Sequence, residues 1–148
     1  MNSILDDSVS LSSNKAHIMV GVLGGMGPDA TVAFMQRVID ATPAGDDIDH
    51  VHMLVDNNPK VPSRIKALID GDGESPGPVI AEMANRLEKA GATFLVMPCN
   101  TAHYYWKDAQ DAVKIPVWHI VERTLDTIAH RWPSARVGML CSPALRKI

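Results

Sequence analysis

Only two cysteines, Cys99 and Cys141, occur in the 148 residues, and they lack the paired spacing of a metal-binding motif. Two thiols are also too few for a disulfide framework, so both are expected to be reduced. No apolar run approaches the roughly 18 residues that a membrane span requires. The first 15 residues carry Asp6 and Asp7 among serines, where a secretory signal would have a basic start and an apolar core. Residues 1–16 read as a disordered extension of a cytoplasmic protein. Charge of one sign is not in excess: the net charge is −3, which gives no basic field and disfavours nucleic acid as a partner. Internal repeats and low-complexity segments are absent too.

What is present is an ordinary soluble composition, 46% hydrophobic and 21% charged, in a length that suits one α/β-sized unit with a real core. Residues 17–23 open it with the continuous apolar run of a strand covered on both faces. Gly24-Gly25-Met26-Gly27-Pro28-Asp29 then forms a turn, and Pro28 suits the start of a helix over 30–39 that Pro43 ends. A second strand is expected over 51–55. The polar loop after it, 56–64, is rich in turn formers and long enough to carry function. A short helix over 65–69 and a longer one over 79–90 follow, the second with Val79, Ile80, Met83, Ala84 and Leu87 on one stripe and Gly91 beyond its end.

A third strand over 93–97, a helix over 101–113, a fourth strand over 115–119, a helix over 121–131 and a fifth strand over 136–140 complete the pattern. Alternation of this kind with apolar strands predicts an α/β fold: a parallel sheet with helices on both faces and right-handed crossovers. Ligands in such sheets bind beyond the carboxyl ends of the strands. The glycine loop, the 56–64 loop, Cys99 to Thr101, and His119 all fall there.

The organising stretch is Met97-Pro98-Cys99-Asn100-Thr101-Ala102-His103, where a strand gives way to a helix. Free peptide amides at a helix start stabilise negative charge, so a thiol there is favoured as a thiolate. Asn100 and Thr101 are both good caps. Against this stands the ordinary reading of a small buried cysteine closing a strand. The glycine loop, with Met26 and Gly27, reads as a carboxylate-binding loop or a tight structural turn. It also fits a loose G-x-G-x-x-A nucleotide fingerprint with Asp56 as the ribose acid, although Pro28 and Asp29 oppose that. Asn57 and Asn58 serve as turn formers or as ligand contacts, and Arg64 as a surface charge or a site cation. His103 caps, packs or acts directly, and His119 is placed to pair with Glu122. Met19, Met26, Met35, Met53, Met83 and Met97 read as core filler.

Taken together, Gly24-Gly25-Met26-Gly27-Pro28, Asp56-Asn57-Asn58-Pro59 and the Met97 to His103 motif, each after its own strand, closely resemble the aspartate/glutamate racemase family. The resemblance spans about residues 18–140. It implies two pseudo-symmetric α/β lobes, each giving one catalytic cysteine, and cofactor-independent proton exchange at the α-carbon of an acidic amino acid. No cofactor and no metal are therefore expected, and the ligand is a small amino acid or dicarboxylate. By resemblance Cys99 is one acid/base, Asn100 and Thr101 hold the substrate carboxylate, Arg64 is a charge near the site, and Asn58 is a further contact. Met26, Gly27 and Asn57 complete the candidate binding residues.

The sequence also departs from the family pattern. A Gly-Cys-Thr-Glu segment carries the second cysteine in the family, and no such segment occurs here. Cys141 and Ser142 stand where the family has a small residue and a threonine, so Cys141 is not its counterpart. The expected organisation is an extension over 1–16, a racemase-like lobe over 17–135, and the start of a truncated second lobe over 136–148. Impaired racemisation is expected of such a chain, with its last strand left as an exposed edge that favours self-association into a homo-oligomer. The alternatives are an inactive or carboxylate-binding single lobe, and a related isomerase or decarboxylase acting on maleate- or malonate-like substrates.

Overall fold

A computed structural model describes residues 18–141 and Leu145. The extension expected over 1–16 lies outside the described residues. Three parallel strands form the sheet: β1 (Met19–Gly24) lies between β2 (His52–Asn57) and β3 (Phe94–Val96), giving the order β2-β1-β3. As the middle strand, β1 must be apolar on both faces, and Val20, Val22 and Leu23 are all buried.

The two faces carry different helices. A Cβ on Gly21 would meet Leu87 and Ala92, so that face of β1 looks towards α2 (Gly77–Lys89). A Cβ on Gly24 would meet Thr31, so the opposite face looks towards α1 (Pro28–Ala41). Leu23 joins Ile80, Met83, Ala84, Leu87 and Leu95 in the main core, and the sequence stripe of the longer helix is therefore its buried face. Beyond that helix Gly91 has φ +101. The Gly91 N–H donates to the Glu88 carbonyl and the Ala92 N–H to the Leu87 carbonyl, a paired closure that satisfies the last carbonyls.

Three expected elements are modified. The helix expected over 101–113 divides into a 3-10 turn (Thr101–Tyr105) and a short α3 (Trp106–Asp111). The fourth strand is reduced to a single parallel bridge between Leu95 and Val117. Pro116 has no N–H to give, and Gln110 takes both the Ile115 carbonyl and the Val117 N–H with its side-chain amide, so only two ladder bonds to Leu95 survive. The expected fifth strand does not form: residues 136–140 have no ladder partner among the described residues and are exposed. Extended backbone becomes a strand only when a neighbour takes its N–H and C=O groups. The short helix after the second loop is present as one wide turn, Lys66–Asp70.

The last helix, α4 (Ile120–Arg131), is where expectation and packing diverge most. Val121 and Leu125 are exposed and Ile128 is half-buried, so its apolar stripe meets little of the sheet. No helix among the described residues is long and apolar enough to cross a membrane. The methionines divide as well: Met26, Met83 and Met97 are buried in the core, while Met35 and Met53 are half-buried.

Candidate active site

Parallel pairing places the carboxyl ends of all three strands on one edge, since Gly24 is in register with Asn57, and Val22 with both Val55 and Val96. The loops that leave this edge are therefore neighbours. Each also drives an apolar side chain into the same core: Met26 from the first loop, Val61 from the second, Met97 and Ala102 from the third, with Cys99 packed against the cluster. Met26 thus presents its side chain to the core, leaving its backbone for any ligand contact, whereas Gly27 is exposed.

The glycine loop is held from within. Thr31, buried on α1, accepts the Gly25 N–H with its Oγ1 at 2.9 Å and donates to the Gly27 carbonyl at 3.4 Å. The Asn58 N–H donates to the Gly24 carbonyl at 3.3 Å. Gly25 has φ +89, and a Cβ there would stand 2.3 Å from the Asn58 backbone, so the first two loops touch main chain to main chain. Asn58 turns its own side chain to the Lys60 N–H, which is the turn-forming role, while Asn57 is exposed at the strand end. The Asp56 carboxylate is occupied by Arg86, with contacts of 2.8 and 3.2 Å. Both contacts fall on Oδ2, so the ion pair with Arg86 is a competing use for the acid on which a nucleotide reading depends.

Arg64 is half-buried. Its Nη1 donates to the Val61 and Pro62 carbonyls at 3.4 and 3.1 Å, its Nε is buried without a hydrogen-bond partner, and no carboxylate pairs with it among the described residues. A guanidinium fixed by carbonyls but not neutralised retains donors for an anion.

Cys99 is half-buried at the third loop. Its N–H donates to the Met97 carbonyl at 2.8 Å, its carbonyl meets His103 Nδ1 at 2.8 Å, and Sγ lies 3.4 Å from Thr101 Oγ1. The main chain on either side of the thiol is therefore tied, and only a weak hydroxyl contact engages the sulfur. Asn100 and Thr101 do not cap as expected. Asn100 has helical backbone angles and makes no side-chain cap bond, which leaves its amide exposed, and Thr101 turns towards Cys99. His119 does not pair with the Glu122 carboxylate; its Nδ1 accepts the Glu122 N–H and caps α4.

His103 is buried, and its Nε2 accepts the Ile120 N–H at 3.1 Å. With Nε2 an acceptor, the ring is neutral and Nδ1 carries the proton given to the Cys99 carbonyl. Burial, with the neighbouring His119 adding to it, holds this imidazole below the ordinary value of 6.5, partly opposed by the bond to the Cys99 carbonyl. A lowered value means that the unfolded chain binds the proton first. Stability is therefore expected to be intact above about pH 6.5 and to fall as the pH drops below it, by at most about 1.4 kcal/mol per pH unit from this group. Urea midpoints between pH 7.5 and 5 should show the fall, and His103→Asn should flatten it. The two backbone bonds of His103 and the Thr31 clamp were not visible in the sequence. A histidine four residues after the cysteine, and a threonine on the first turn after the glycines, are the spacings that permit them.

Beside this motif lies a cavity of ≈ 630 Å³ between α4 and the segment after it, lined by Asn100, Tyr104, His119, Leu125, Met139 and Leu140 among others. Asn100 and His103 face it, whereas Cys99 is not among its lining residues.

Residues 23–147 match the Asp/Glu/hydantoin racemase family, and the chain belongs to that family. Among its relatives is the broad specificity amino-acid racemase RacX of Bacillus subtilis, 40% identical over 116 residues, covering 76% of this chain and 50% of the relative. The solved aspartate racemase of Picrophilus torridus superposes with a TM-score of 0.72 at 34% identity, covering 78% of this chain and 48% of that one. An aspartate racemase homologue from Pyrococcus horikoshii shares the fold, with a TM-score of 0.59 at 19% identity over 78% of this chain and 50% of that one. The chain spans about half the length of these relatives. The fold is thus the α/β fold of aspartate racemases over about half of such a chain.

Proposed function

We propose that this chain carries one half of a cofactor-independent amino-acid racemase site of the aspartate/glutamate type, with Cys99 as one acid/base. The observation that carries the reading is the tethered Cys99: a half-buried thiol at the carboxyl edge of the sheet, with its N–H and C=O both bonded and its sulfur in polar contact with a hydroxyl alone. A thiolate there takes the α-proton from one face of the substrate. Inversion then requires a second group to return a proton from the other face, as the resemblance implies for the second cysteine of the family. Arg64, the Asn100 amide and the glycine-loop backbone are the candidates for holding carboxylate and stabilising the carbanion. Free thiols at both Cys99 and Cys141 suit the reducing cytoplasm.

In deuterated water, the 148-residue chain is expected to place deuterium at the α-carbon of L-aspartate or L-glutamate with little D-enantiomer. Complete absence of exchange with both would count against the reading.

A carboxylate-binding role without turnover is the second reading, favoured by the unneutralised Arg64 guanidinium. Weak binding of aspartate, glutamate or malate is expected to shift NMR resonances of residues 24–28 and 99–101. Arg64→Gln should weaken it about tenfold, as the loss of a charged hydrogen bond of about 1.5 kcal/mol predicts. Equal affinity in the variant would remove Arg64 from the site.

A further inference from the structure

We propose that His103 is a positioning residue for Cys99: its imidazole joins the Cys99 carbonyl to the first amide of α4 and so fixes the main chain that carries the thiol. This rests on the assignment of Cys99 as the reacting residue. The geometry is two-sided. Nδ1 stands 2.8 Å from the Cys99 carbonyl, and Nε2 accepts from the Ile120 N–H at 3.1 Å.

Both ring nitrogens are thereby used on backbone, so the imidazole has no nitrogen left to relay a proton to Sγ. Its contribution is orientation. The Cys99–Asn100 peptide is trans, so holding the Cys99 carbonyl towards the imidazole turns the Asn100 N–H away from it. The tautomer is set in turn by Ile120, because only a ring with its proton on Nδ1 can both accept from α4 and donate to the cysteine.

The ring is itself confined. His119 meets it edge-to-face at 4.9 Å and Trp106 packs on His119 at 5.4 Å. The Trp106 Nε1–H donates to the Val117 carbonyl at 2.7 Å, and the His119 side chain caps α4. Four residues from the third loop, α3 and the bridge segment thus brace one another around the bond to Cys99.

The test separates packing from positioning. His103→Phe keeps an aromatic ring and removes both nitrogens. His103→Asn restores a donor N–H near the place of Nδ1 but has no acceptor as far out as Nε2. Iodoacetamide alkylation of Cys99 and Cys141 is followed by mass spectrometry from pH 6 to 9, with thermal melting to confirm folding. In His103→Phe the half-buried Cys99 is expected to react about fivefold faster, equivalent to a lost hydrogen bond of about 1 kcal/mol, while Cys141 stays within about twofold of its original rate. His103→Asn is expected to bring Cys99 back to within about twofold of wild type.

If the phenylalanine variant does not fold, His103→Gln, whose longer side chain carries its amide past the Nδ1 position, takes its place with the same fivefold expectation. Unchanged Cys99 reactivity, equal acceleration of both cysteines, or an asparagine variant as fast as the phenylalanine one would each overturn the proposal. Alkylation needs no turnover. Failure of the racemase reading would appear separately, as wild-type protein that exchanges no α-proton.

Discussion

Cys99→Ser is expected to lower α-deuteration of L-aspartate by about a hundred- to ten-thousandfold, the range for loss of a positioned acid/base. A serine hydroxyl fits the same half-buried space but is far less acidic than a thiol, so it cannot supply an anion near neutral pH. Apart from the weak contact of Sγ with Thr101 Oγ1, which a serine hydroxyl can also make, the surrounding bonds are to the Cys99 main chain, so the fold should be unaffected. Cys141→Ser is the control, since Cys141 lies after α4 and lines the cavity instead of standing in the loop that follows β3. Exchange rates from the loss of the α-proton NMR signal, compared for the two variants, decide the matter. Equal rates in wild type and Cys99→Ser would transfer the acid/base role away from Cys99.

Gly25→Ala is expected to cost the largest share of stability of any single methyl addition at the site, about 2–5 kcal/mol. Two separate penalties contribute. The φ of +89 lies in the left-handed region, which a residue with a Cβ occupies at a cost of about 1–2 kcal/mol. The new carbon would also stand 2.3–2.4 Å from the carbonyl carbon, nitrogen and oxygen of Asn58, and main chain cannot swing aside as a flexible side chain can. Overpacking of this kind typically costs about 1–3 kcal/mol.

Functional damage should follow from the same displacement, because the Asn58 N–H is bonded to the Gly24 carbonyl and the two loops would part. Gly138→Ala is the matched control: nothing lies within 4 Å of a Cβ there, and a change within about 0.5 kcal/mol is expected. Urea denaturation of the three proteins measures the difference. A Gly25→Ala midpoint equal to that of wild type would mean that the close approach to Asn58 does not limit the fold.

Much of this was present in the order of residues. A short, continuous apolar run before a glycine turn and a proline reads as a covered strand leading into a helix, and β1 and α1 take those places. The stripe of Ile80, Met83, Ala84 and Leu87 is the buried face of α2 because helical periodicity leaves it no other use. The three motifs after the first three strands were sufficient to reach the family, and parallel topology then brings their loops to one edge without further information.

Other features depended on contacts between distant segments. Local pattern could not distinguish a fourth strand from a bridge, since the outcome turned on whether Gln110 or Leu95 took the hydrogen-bonding groups around Pro116. The fifth strand had the right residues and lacked a neighbour among the described residues, and a strand is a property of two segments. Asp56 stood in the sequence only as a weakly supported ribose acid, and its ion pair emerged when Arg86, thirty residues later, was placed against it. His103 was one histidine among six. Its partners are a carbonyl four residues back and an amide seventeen residues on, and only tertiary structure brings that amide within hydrogen-bonding distance. Sequence alone determined which residues are apolar, where the chain turns and which chemistry is available. The fold decided which polar groups are already paired and which, like Arg64 and the Cys99 sulfur, remain available, because a hydrogen bond or ion pair is specified only when both partners have been placed.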